Sequence, residues 1–312
     1  MIKTFNKVLE TRKVPISFKT GVLTPVLKKG KDSTLCESYR GITVTPTLGK
    51  TFEYSLLWKL KLRNKTDLQF GFTESLNPIM ASLLMSEAKC EKLQKNENIV
   101  IGIMDVQSAF DVVQHKILLD KLLNEEINPI LWLIIKDLYS GLSTKTKWTG
   151  GLSESFSIHQ GIRQGGILST HLYKIFVQDL LLELENHCLG FQLGDIYIGT
   201  PTCADDIAFI ESNNDNLQVM LNTIGRYANQ HHYNIHPKKT KIIQYANSKA
   251  NYKWYLNDKE LCADEDAVHL GLIRSTKLEC DKNIESRIES ARRTQYGVVP
   301  LIRQSILRQS LL

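Results

Sequence analysis

A six-residue apolar run that stops at an aspartate limits the possible folds of this chain more than any other feature. Ile99-Val-Ile-Gly-Ile-Met104 has the length of a β-strand, contains no polar residue and is followed directly by Asp105. A strand that does not alternate polar and apolar residues is buried on both faces. The chain is therefore expected to form a layered domain around this strand, and 312 residues suffice for one large domain or two modest ones.

Helices and further strands follow one another without a regular βαβ alternation. Short strands are predicted within residues 14–50, in a hairpin at 145–158 and at 241–245. Helices are predicted at 48–62, 75–93, 129–139, 169–187 and 215–231, and helical character in the basic tail. Another helix is predicted to begin at Asp111, because Asp111 and Gln114 have the spacing of a capping box. This order indicates an α+β fold rather than a doubly wound sheet.

Two adjacent aspartates lie between apolar segments. Ile196-Tyr-Ile198 and Ile207-Ala-Phe-Ile210 flank Cys203-Ala-Asp-Asp206, which predicts a hairpin with both carboxylates at its tip. A single Asp at the end of a strand is well explained by a turn or a helix cap. Two adjacent aspartates are explained less well in this way, because their negative charges repel each other and Asp disfavours strands. If the hairpin neighbours the 99–104 strand, its carboxylates and Asp105 could converge on two Mg²⁺ ions. Such a pair of ions can stabilise both the attacking and the leaving oxygen of a phosphoryl transfer.

Asp111 competes with Asp105 for the role of metal ligand. A capping role already accounts for Asp111, whereas no such role accounts for Asp105, and we therefore favour Asp105. The segment Arg163-Gln164-Gly165-Gly166 precedes the helix predicted at 169–187. Its two glycines would let the backbone approach a nucleotide base or a template strand closely.

Positive charge is concentrated at the amino-terminal end. Residues 1–65 hold 14 Lys and Arg against four acidic residues, a net charge of +10, whereas the whole chain carries +6. This asymmetry suggests a polyanionic partner, although a solvated basic surface explains the charge equally well. Lys28, Lys29, Lys31 and Arg40 form a basic cluster that could hold a triphosphate or a nucleic-acid backbone.

The six cysteines contain no C-x-x-C pair, and the amino terminus has no secretory apolar region. We therefore expect reduced thiols and an intracellular protein, in the nucleus or the cytoplasm, without a clear targeting signal. The longest apolar run, Ile130 to Ile135, is too short to cross a membrane, so no membrane partner is expected. The oligomeric state stays open.

In their order, these elements resemble the reverse transcriptase domain of non-LTR retrotransposons over residues 14–275. Each motif is short, and it is the order of seven that makes the resemblance specific. The motifs are Leu27-Lys-Lys-Gly-Lys31 with Tyr39-Arg-Gly-Ile42 in the fingers, Gln69-Phe-Gly-Phe72, Asp105-Val-Gln-Ser-Ala-Phe-Asp111 (motif A), Gly161-Ile-Arg-Gln-Gly165 (motif B), Ala204-Asp-Asp206 (motif C), Ile235 to Thr240 (motif D) and His269-Leu-Gly271 (motif E, the primer grip). The chain departs from the family pattern at Cys203, Gly166 and His236, and none of these changes removes a carboxylate.

The resemblance implies a right-hand polymerase fold with fingers, a palm whose antiparallel sheet is backed by helices, and a partial thumb. Residues 1–100 would be mainly fingers, and residues 101–265 mainly palm with some fingers elements. Residues 266–312 would form the primer grip and part of a thumb.

The same resemblance implies a nucleotidyltransferase that copies an RNA template into DNA by adding dNTPs to a primer 3′-hydroxyl. Asp105, Asp205 and Asp206, with the Val106 carbonyl, would bind two Mg²⁺ ions, for which Mn²⁺ could substitute. Phe110 would act as a steric gate against a ribose 2′-hydroxyl, and Gln164 and Gly165 would line the pocket for the nucleotide and template. Lys28 and Arg40 would contact the triphosphate or the template. Lys239 would donate a proton to the leaving pyrophosphate.

Two alternatives remain. The chain shows no upstream endonuclease and only a short segment after motif E, so it could be a truncated relic that binds nucleic acid without efficient polymerisation. Palm-type nucleotide cyclases also pair acidic metal ligands, but Lys28, Arg40 and the segment 163–165 argue against that class. We rank the polymerase domain first.

Overall fold

The structure, a computed structural model, describes residues 2–233, 235–236, 239–245 and 252–309, and for residues 300–309 it describes the backbone alone. Residues 237–238 of motif D and the last three residues of the tail lie outside this part. The helices are Ile2–Thr11 (α1), Ile16–Lys19 (α2), Thr47–Leu60 (α3), Pro78–Gln94 (α4), His115–Leu123 (α5), Pro129–Tyr139 (α6), Ser169–Asn186 (α7), Asn214–His231 (α8) and Glu279–Gln309 (α9). The strands are Thr20–Leu27 (β1), Tyr39–Val44 (β2), Ile99–Met104 (β3), Leu142–Trp148 (β4), Gly151–Leu152 (β5), Phe156–Ile158 (β6), Gln192–Leu193 (β7), Ile196–Tyr197 (β8), Thr202–Cys203 (β9), Asp206–Glu211 (β10), Lys241–Tyr245 (β11), Lys253–Leu256 (β12), Lys259–Cys262 (β13), Asp266–His269 (β14) and Leu272–Ser275 (β15).

β3 is the central strand that its apolar sequence predicts, and all six of its residues are buried. It lies between β10 and β11 in a four-stranded antiparallel sheet with the order β11–β3–β10–β9. Gly102, in the middle of β3, leaves room for a ring from β10, because a Cβ at Gly102 would overlap Phe209. The sheet is thus closely packed where its two central strands meet.

Both faces of this sheet are covered by helices. Val100 and Met104 of β3 belong to the large core cluster that includes buried side chains of α5, α7 and α8. Ile101 and Ile103 belong to a second cluster, together with Met85 of α4. Since successive strand residues point to opposite faces, the sheet forms the middle layer of three.

A second sheet joins segments that are far apart in the sequence. β1 pairs antiparallel with β2 and parallel with β4, where Thr20 lies opposite Ser143 and Leu23 opposite Thr146. β5 and β6 both pair with β4, so the predicted hairpin at 145–158 forms. The predicted α+β class is confirmed, with one parallel strand pair in otherwise antiparallel sheets of the described chain.

The helix predicted to begin at Asp111 is wrong, because α5 begins with His115. Asp111 lies in a turn in which its N–H donates a hydrogen bond to the Ser108 carbonyl at 2.7 Å. The Ile162 N–H donates to the Phe110 carbonyl at 2.8 Å and ties this segment to the start of motif B. The Gly161 N–H also donates to the Val113 carbonyl at 2.7 Å. A helix that began at Asp111 would need the Val113 carbonyl for its own hydrogen bonds, so this tertiary contact overrides the local capping pattern.

The partner of β10 also differs from the prediction. Residues 196–197 form β8, which pairs with β7, and the strand that pairs with β10 is the short β9. Ile196 and Tyr197 are more apolar than Thr202 and Cys203. The pairing nevertheless depends on register and turn geometry, which composition does not specify. The two aspartates still lie at the tip of a hairpin, which is tighter than the sequence suggests.

The carboxy-terminal part consists of the hairpins β12–β13 and β14–β15, followed by the long helix α9. All six cysteines have free thiols, as predicted. Within the described residues, no helix is both long and apolar enough to cross a membrane.

Candidate active site

The strand register brings the predicted carboxylates together. Met104 at the end of β3 pairs with Ile207 of β10, so Asp105 and Asp206 occupy the next pair of positions. Asp206 also pairs with Cys203 of β9, which leaves Ala204 and Asp205 as a two-residue turn. We call residues 203–206 the Asp205 turn. The Asp205 turn lies directly beside the carboxyl end of β3, the central strand of the sheet.

The carboxylates of this site destabilise one another's charged form. Partial desolvation and the charges of Asp205 and Asp105 raise the pKa of Asp206 to about 6. Desolvation and the charge of Asp105 also raise the pKa of Asp205, while Arg40 acts in the opposite direction. Carboxylates that repel one another in this way would gain from a bound cation.

Asp105 is engaged by motif D on its other side. Its Oδ2 lies 3.1 Å from the Lys239 Nζ, and its carbonyl accepts a hydrogen bond from the His236 N–H at 2.9 Å. Val106 and Ile235 form a further antiparallel bridge between the two segments. The predicted Lys239 therefore lies at the site.

In the described part of the chain, no three carboxylate, imidazole or thiol groups are arranged closely enough to hold a metal ion. The Asp105 carboxylate faces Lys239 instead. The chemistry of the donors nevertheless fits Mg²⁺, which prefers carboxylate and carbonyl oxygens and bridges them to substrate phosphates. Asp105, Asp205, Asp206 and the Val106 carbonyl are such donors.

Phe110 lies on the motif A turn and is supported from behind. Its ring stacks on Tyr173 of α7, with ring centroids 4.9 Å apart and an interplanar angle of 13°. Tyr173 is fully buried, and its hydroxyl shares a short hydrogen bond with the Tyr233 hydroxyl. The half-buried Phe110 ring is therefore fixed in orientation by the core of the molecule.

Motif B is bonded to β2, besides its contact with the Phe110 carbonyl in the segment after β3. The Gln164 carbonyl accepts a hydrogen bond from the Thr43 N–H of β2 at 2.9 Å. Gly165 has a φ of +106°, and a Cβ there would lie 3.0 Å from the Thr43 carbonyl oxygen. Glu53 of α3 accepts a hydrogen bond from the Ile167 N–H at 2.8 Å and secures the loop ahead of α7. Gln164 and Gly165 thus lie where β2 meets the loop, while the charge of Arg40 on β2 reaches Asp205.

Lys28 lies at the edge of this group. Its Nζ donates a hydrogen bond to the Glu37 carbonyl at 2.9 Å. Desolvation raises the pKa of Asp111, and the Lys28 charge opposes that shift, so Lys28 faces Asp111. Besides desolvation, the negative charge of Asp105 raises the pKa of both Asp205 and Asp206, whereas the charge of Asp111 is not among the causes. The capping argument that favoured Asp105 over Asp111 is wrong, because the helix begins at His115, and the assignment of Asp105 as a metal ligand stays a prediction.

The sequence analysis matched Gln69-Phe-Gly-Phe72 to a family element without giving it a role. The structure places Gln69 beneath the Asp205 turn, where its Oε1 accepts hydrogen bonds from the N–H groups of Gly71 and Ala204, both at 3.0 Å. Gln69 is buried, and so are its neighbours in the sequence, Leu68 and Phe70. The sequence signal for a functional role of Gln69 was a polar residue within an otherwise apolar stretch.

The four-stranded antiparallel sheet is covered by helices on both faces and has Asp105, Asp205 and Asp206 at one end of its central strands, which is the architecture of a right-hand polymerase palm. A family model described as reverse transcriptase (RNA-dependent DNA polymerase) matches residues 26–271. The chain therefore belongs to the reverse transcriptase family, and the relatives below place it among those of non-LTR mobile elements.

Curated relatives agree with this assignment. The RNA-directed DNA polymerase from mobile element jockey of Drosophila funebris is 27% identical over 310 residues, which cover 94% of this chain and 33% of that protein. The retrovirus-related Pol polyprotein from type-1 retrotransposable element R2 of Nasonia vitripennis is 28% identical over 174 residues, 54% of this chain and 16% of that protein. This chain thus spans about a third of the length of the jockey relative.

Solved structures show the same fold at low sequence identity. Apo telomerase from Candida tropicalis, truncated from the C-terminal domain, superposes with a TM-score of 0.57 and 15% identity, over 88% of this chain and 58% of that one. Telomerase from Candida albicans, solved with a TWJ fragment of telomeric RNA, gives 0.55 and 13%, over 88% and 48%. The likeness establishes the fold: fingers, an antiparallel palm sheet backed by helices, and a partial thumb.

Proposed function

We propose that this chain is the RNA-directed DNA polymerase domain of a mobile element, a nucleotidyltransferase that adds dNTPs to a primer 3′-hydroxyl on an RNA template. The observation that carries the proposal is the register of β3 and β10, which sets Asp105 opposite Asp206 with Asp205 in the adjoining turn. Family membership supports the reaction class. The division into fingers, palm and thumb at residues 100 and 265 remains a prediction.

Asp105, Asp205 and Asp206, with the Val106 carbonyl, would hold two Mg²⁺ ions, or Mn²⁺ in their place. When bound, these ions supply charge neutralisation for the phosphates and lower the pKa of the primer hydroxyl. The raised pKa of Asp205 and Asp206 supports this role, since their repulsion is relieved by a cation. Lys239 would exchange its contact with Asp105 for the substrate.

In the proposed reaction the primer 3′-hydroxyl gives up its proton to solvent, its oxygen attacks the α-phosphorus, and the bond to the leaving pyrophosphate breaks. Lys239 holds a proton at Nζ, close to Asp105, and donates it to the leaving oxygen. Arg40 and Lys28 bind the triphosphate or the template through charge-assisted hydrogen bonds. Their charges already act on Asp205 and Asp111, which supports a place at the rim of the site.

The nucleotide would be selected by shape as well as by pairing. Phe110, fixed by its stacking on Tyr173, would exclude a ribose 2′-hydroxyl. Gln164 and Gly165 would form the backbone wall against which the base pair forms, and the close contact of Gly165 with β2 supports this position. Each of these contacts acts by positioning rather than by covalent chemistry.

The test is primer extension on an RNA template with Mg²⁺, comparing the full chain with Asp205→Asn. We expect extension by the unmodified chain and a loss of about 100-fold or more in the variant, because one carboxylate of the charge-stabilising site is gone. Asp195→Asn is the matched control, since Asp195 also lies in a two-residue hairpin turn, between β7 and β8, and is exposed there.

Equal background extension by all three proteins would contradict the proposal. That result, combined with retained nucleic-acid binding, would identify a domain that binds template and primer without polymerising.

A further inference from the structure

The segment of residues 68–72 runs beside the Asp205 turn and is bonded to it through the backbone. The Phe70 N–H donates to the Thr202 carbonyl at 2.7 Å, and the Thr202 N–H donates to the Leu68 carbonyl at 2.8 Å. Gln69 and Thr202 form a parallel bridge between the two segments. The strand that leads into the turn is therefore paired with residues that lie more than a hundred positions earlier in the chain.

The side chain of Gln69 extends this pairing to the turn itself. Its Oε1 accepts from the Ala204 N–H and the Gly71 N–H at 3.0 Å each, and the residue is 3% exposed. Ala204 directly precedes Asp205 and has a φ of +59°, a left-handed conformation that is unfavourable for alanine. The hydrogen bond from its N–H to Gln69 is a contact that holds this conformation.

Gly71 allows the two segments to approach this closely. A Cβ at Gly71 would collide with the backbone nitrogen of Ala204 and would lie 2.9 Å from the carbonyl carbon of Cys203. Gln69 and Gly71 therefore both contact the peptide group between Cys203 and Ala204. Gln69 accepts a hydrogen bond from its N–H, and Gly71, which lacks a side chain, leaves room for it.

We propose that Gln69 is a positioning residue for the metal-binding aspartates: by accepting from the Ala204 N–H, it fixes the Asp205 turn and thus the place at which Asp205 offers its carboxylate. Without this acceptor, the buried Ala204 N–H loses its partner and the strained turn relaxes. The inference rests on the proposed function for the reaction, whereas its metal-binding part is measurable without turnover.

The test variant is Gln69→Met, which keeps the length of the side chain and removes the acceptor. In the described part of the chain the Gln69 Nε2 has no hydrogen-bond partner, so the substitution tests the two Oε1 contacts. Gln178→Met is the matched control. Gln178 is also buried, at 4% exposure, and its Oε1 also accepts a backbone N–H, that of Lys65, at 3.0 Å.

Mn²⁺ binding to each full-length protein is measured by water-proton relaxation in the absence of nucleotide, and kcat and KM for dNTP are measured by primer extension. We expect Gln69→Met to weaken Mn²⁺ binding about 10-fold and to lower kcat by a similar factor, while KM changes less than about twofold. Gln178→Met is expected to keep the Mn²⁺ affinity and the kcat of the unmodified chain. Thermal unfolding of both variants checks that any stability loss is comparable.

Unchanged Mn²⁺ affinity in Gln69→Met, or an equal loss in both variants, would overturn the role of Gln69. The proposed function fails separately, if the unmodified chain binds Mn²⁺ but extends no primer. In that case, a loss of Mn²⁺ affinity confined to Gln69→Met would still assign Gln69 to the metal site.

Discussion

At the scale of single residues, His269 of motif E combines burial with an absence of partners. It is 2% exposed, and within the described residues neither ring nitrogen has a hydrogen-bond partner. Burial, and then the positive charge of Arg274, lower the pKa of His269 to about 4. The folded protein thus keeps this imidazole neutral under conditions in which an unfolded chain protonates it.

This difference makes the stability of the fold dependent on pH. As the pH falls from 7 to 5, the unfolded chain takes up a proton at residue 269 that the folded chain does not, so the free energy of unfolding decreases by about 2 kcal/mol. His269→Leu should remove this part of the dependence. Urea unfolding at pH 7 and pH 5 measures it, with His187→Leu at an exposed histidine as the control. The same pH dependence in unmodified protein and His269→Leu would refute the expectation.

The residues of the site differ in how far the sequence could identify them. Asp105, Asp205 and Asp206 were found because carboxylates beside apolar strands are costly without a compensating charge, which is a local property. Gln69 was missed because its role depends on a hydrogen bond to Ala204, which lies 135 positions away in the chain. Composition and spacing carry no information about such a contact.

At the scale of structural elements, the contact between the motif B loop and β2 holds the loop ahead of α7 against the five-stranded sheet. Gly165→Ala would introduce a Cβ at a φ of +106° and only 3.0 Å from the Thr43 carbonyl. Gly141→Ala is a matched control, since Gly141 has a φ of +72° with open space around it. Gly141→Ala measures the loss of stability that comes from the positive φ alone. The additional loss in Gly165→Ala then measures the close contact with Thr43.

We expect Gly141→Ala to lower the free energy of unfolding by about 1 kcal/mol and Gly165→Ala by about 2 kcal/mol. Primer extension should decrease in Gly165→Ala alone, because the loop and β2 are forced apart. Urea unfolding and extension assays on both variants check this. Equal effects of the two substitutions would show that the contact with Thr43 does not set the position of the motif B loop against β2.

The elements themselves were largely predictable, and their pairing was not. β3 and β11 occupy the residues at which strands were predicted. For β3, burial on both faces leaves a clear apolar run in the sequence. The error in the partner of β10 arose because β8, with Ile196 and Tyr197, is more apolar than β9, with Thr202 and Cys203. Which of them pairs is decided by the two-residue turn and by the segment 68–72, and neither was visible as local pattern.

At the scale of the whole molecule, the uneven distribution of charge predicts how nucleic acid binds. The basic residues of positions 1–65 include the exposed Lys29 in the turn between β1 and β2. Lys29→Glu should weaken primer–template binding and reduce the slope of log affinity against log salt by about 1, since one phosphate contact is lost. Fluorescence anisotropy at several salt concentrations measures the slope. Lys259→Glu, at an exposed lysine of the β12–β13 hairpin, provides the comparison, and an equal effect there would argue against a localised contact.

The separation of β3 from its partners has a consequence for synthesis of the chain. β3 leaves the ribosome about a hundred residues before β10 and still longer before β11. At ordinary elongation rates this interval is about 5–20 s, during which a fully apolar strand has no partner on either edge. Nascent chains of this protein should therefore depend on chaperones that shield that strand, and expression at a slower elongation rate should increase the aggregated fraction.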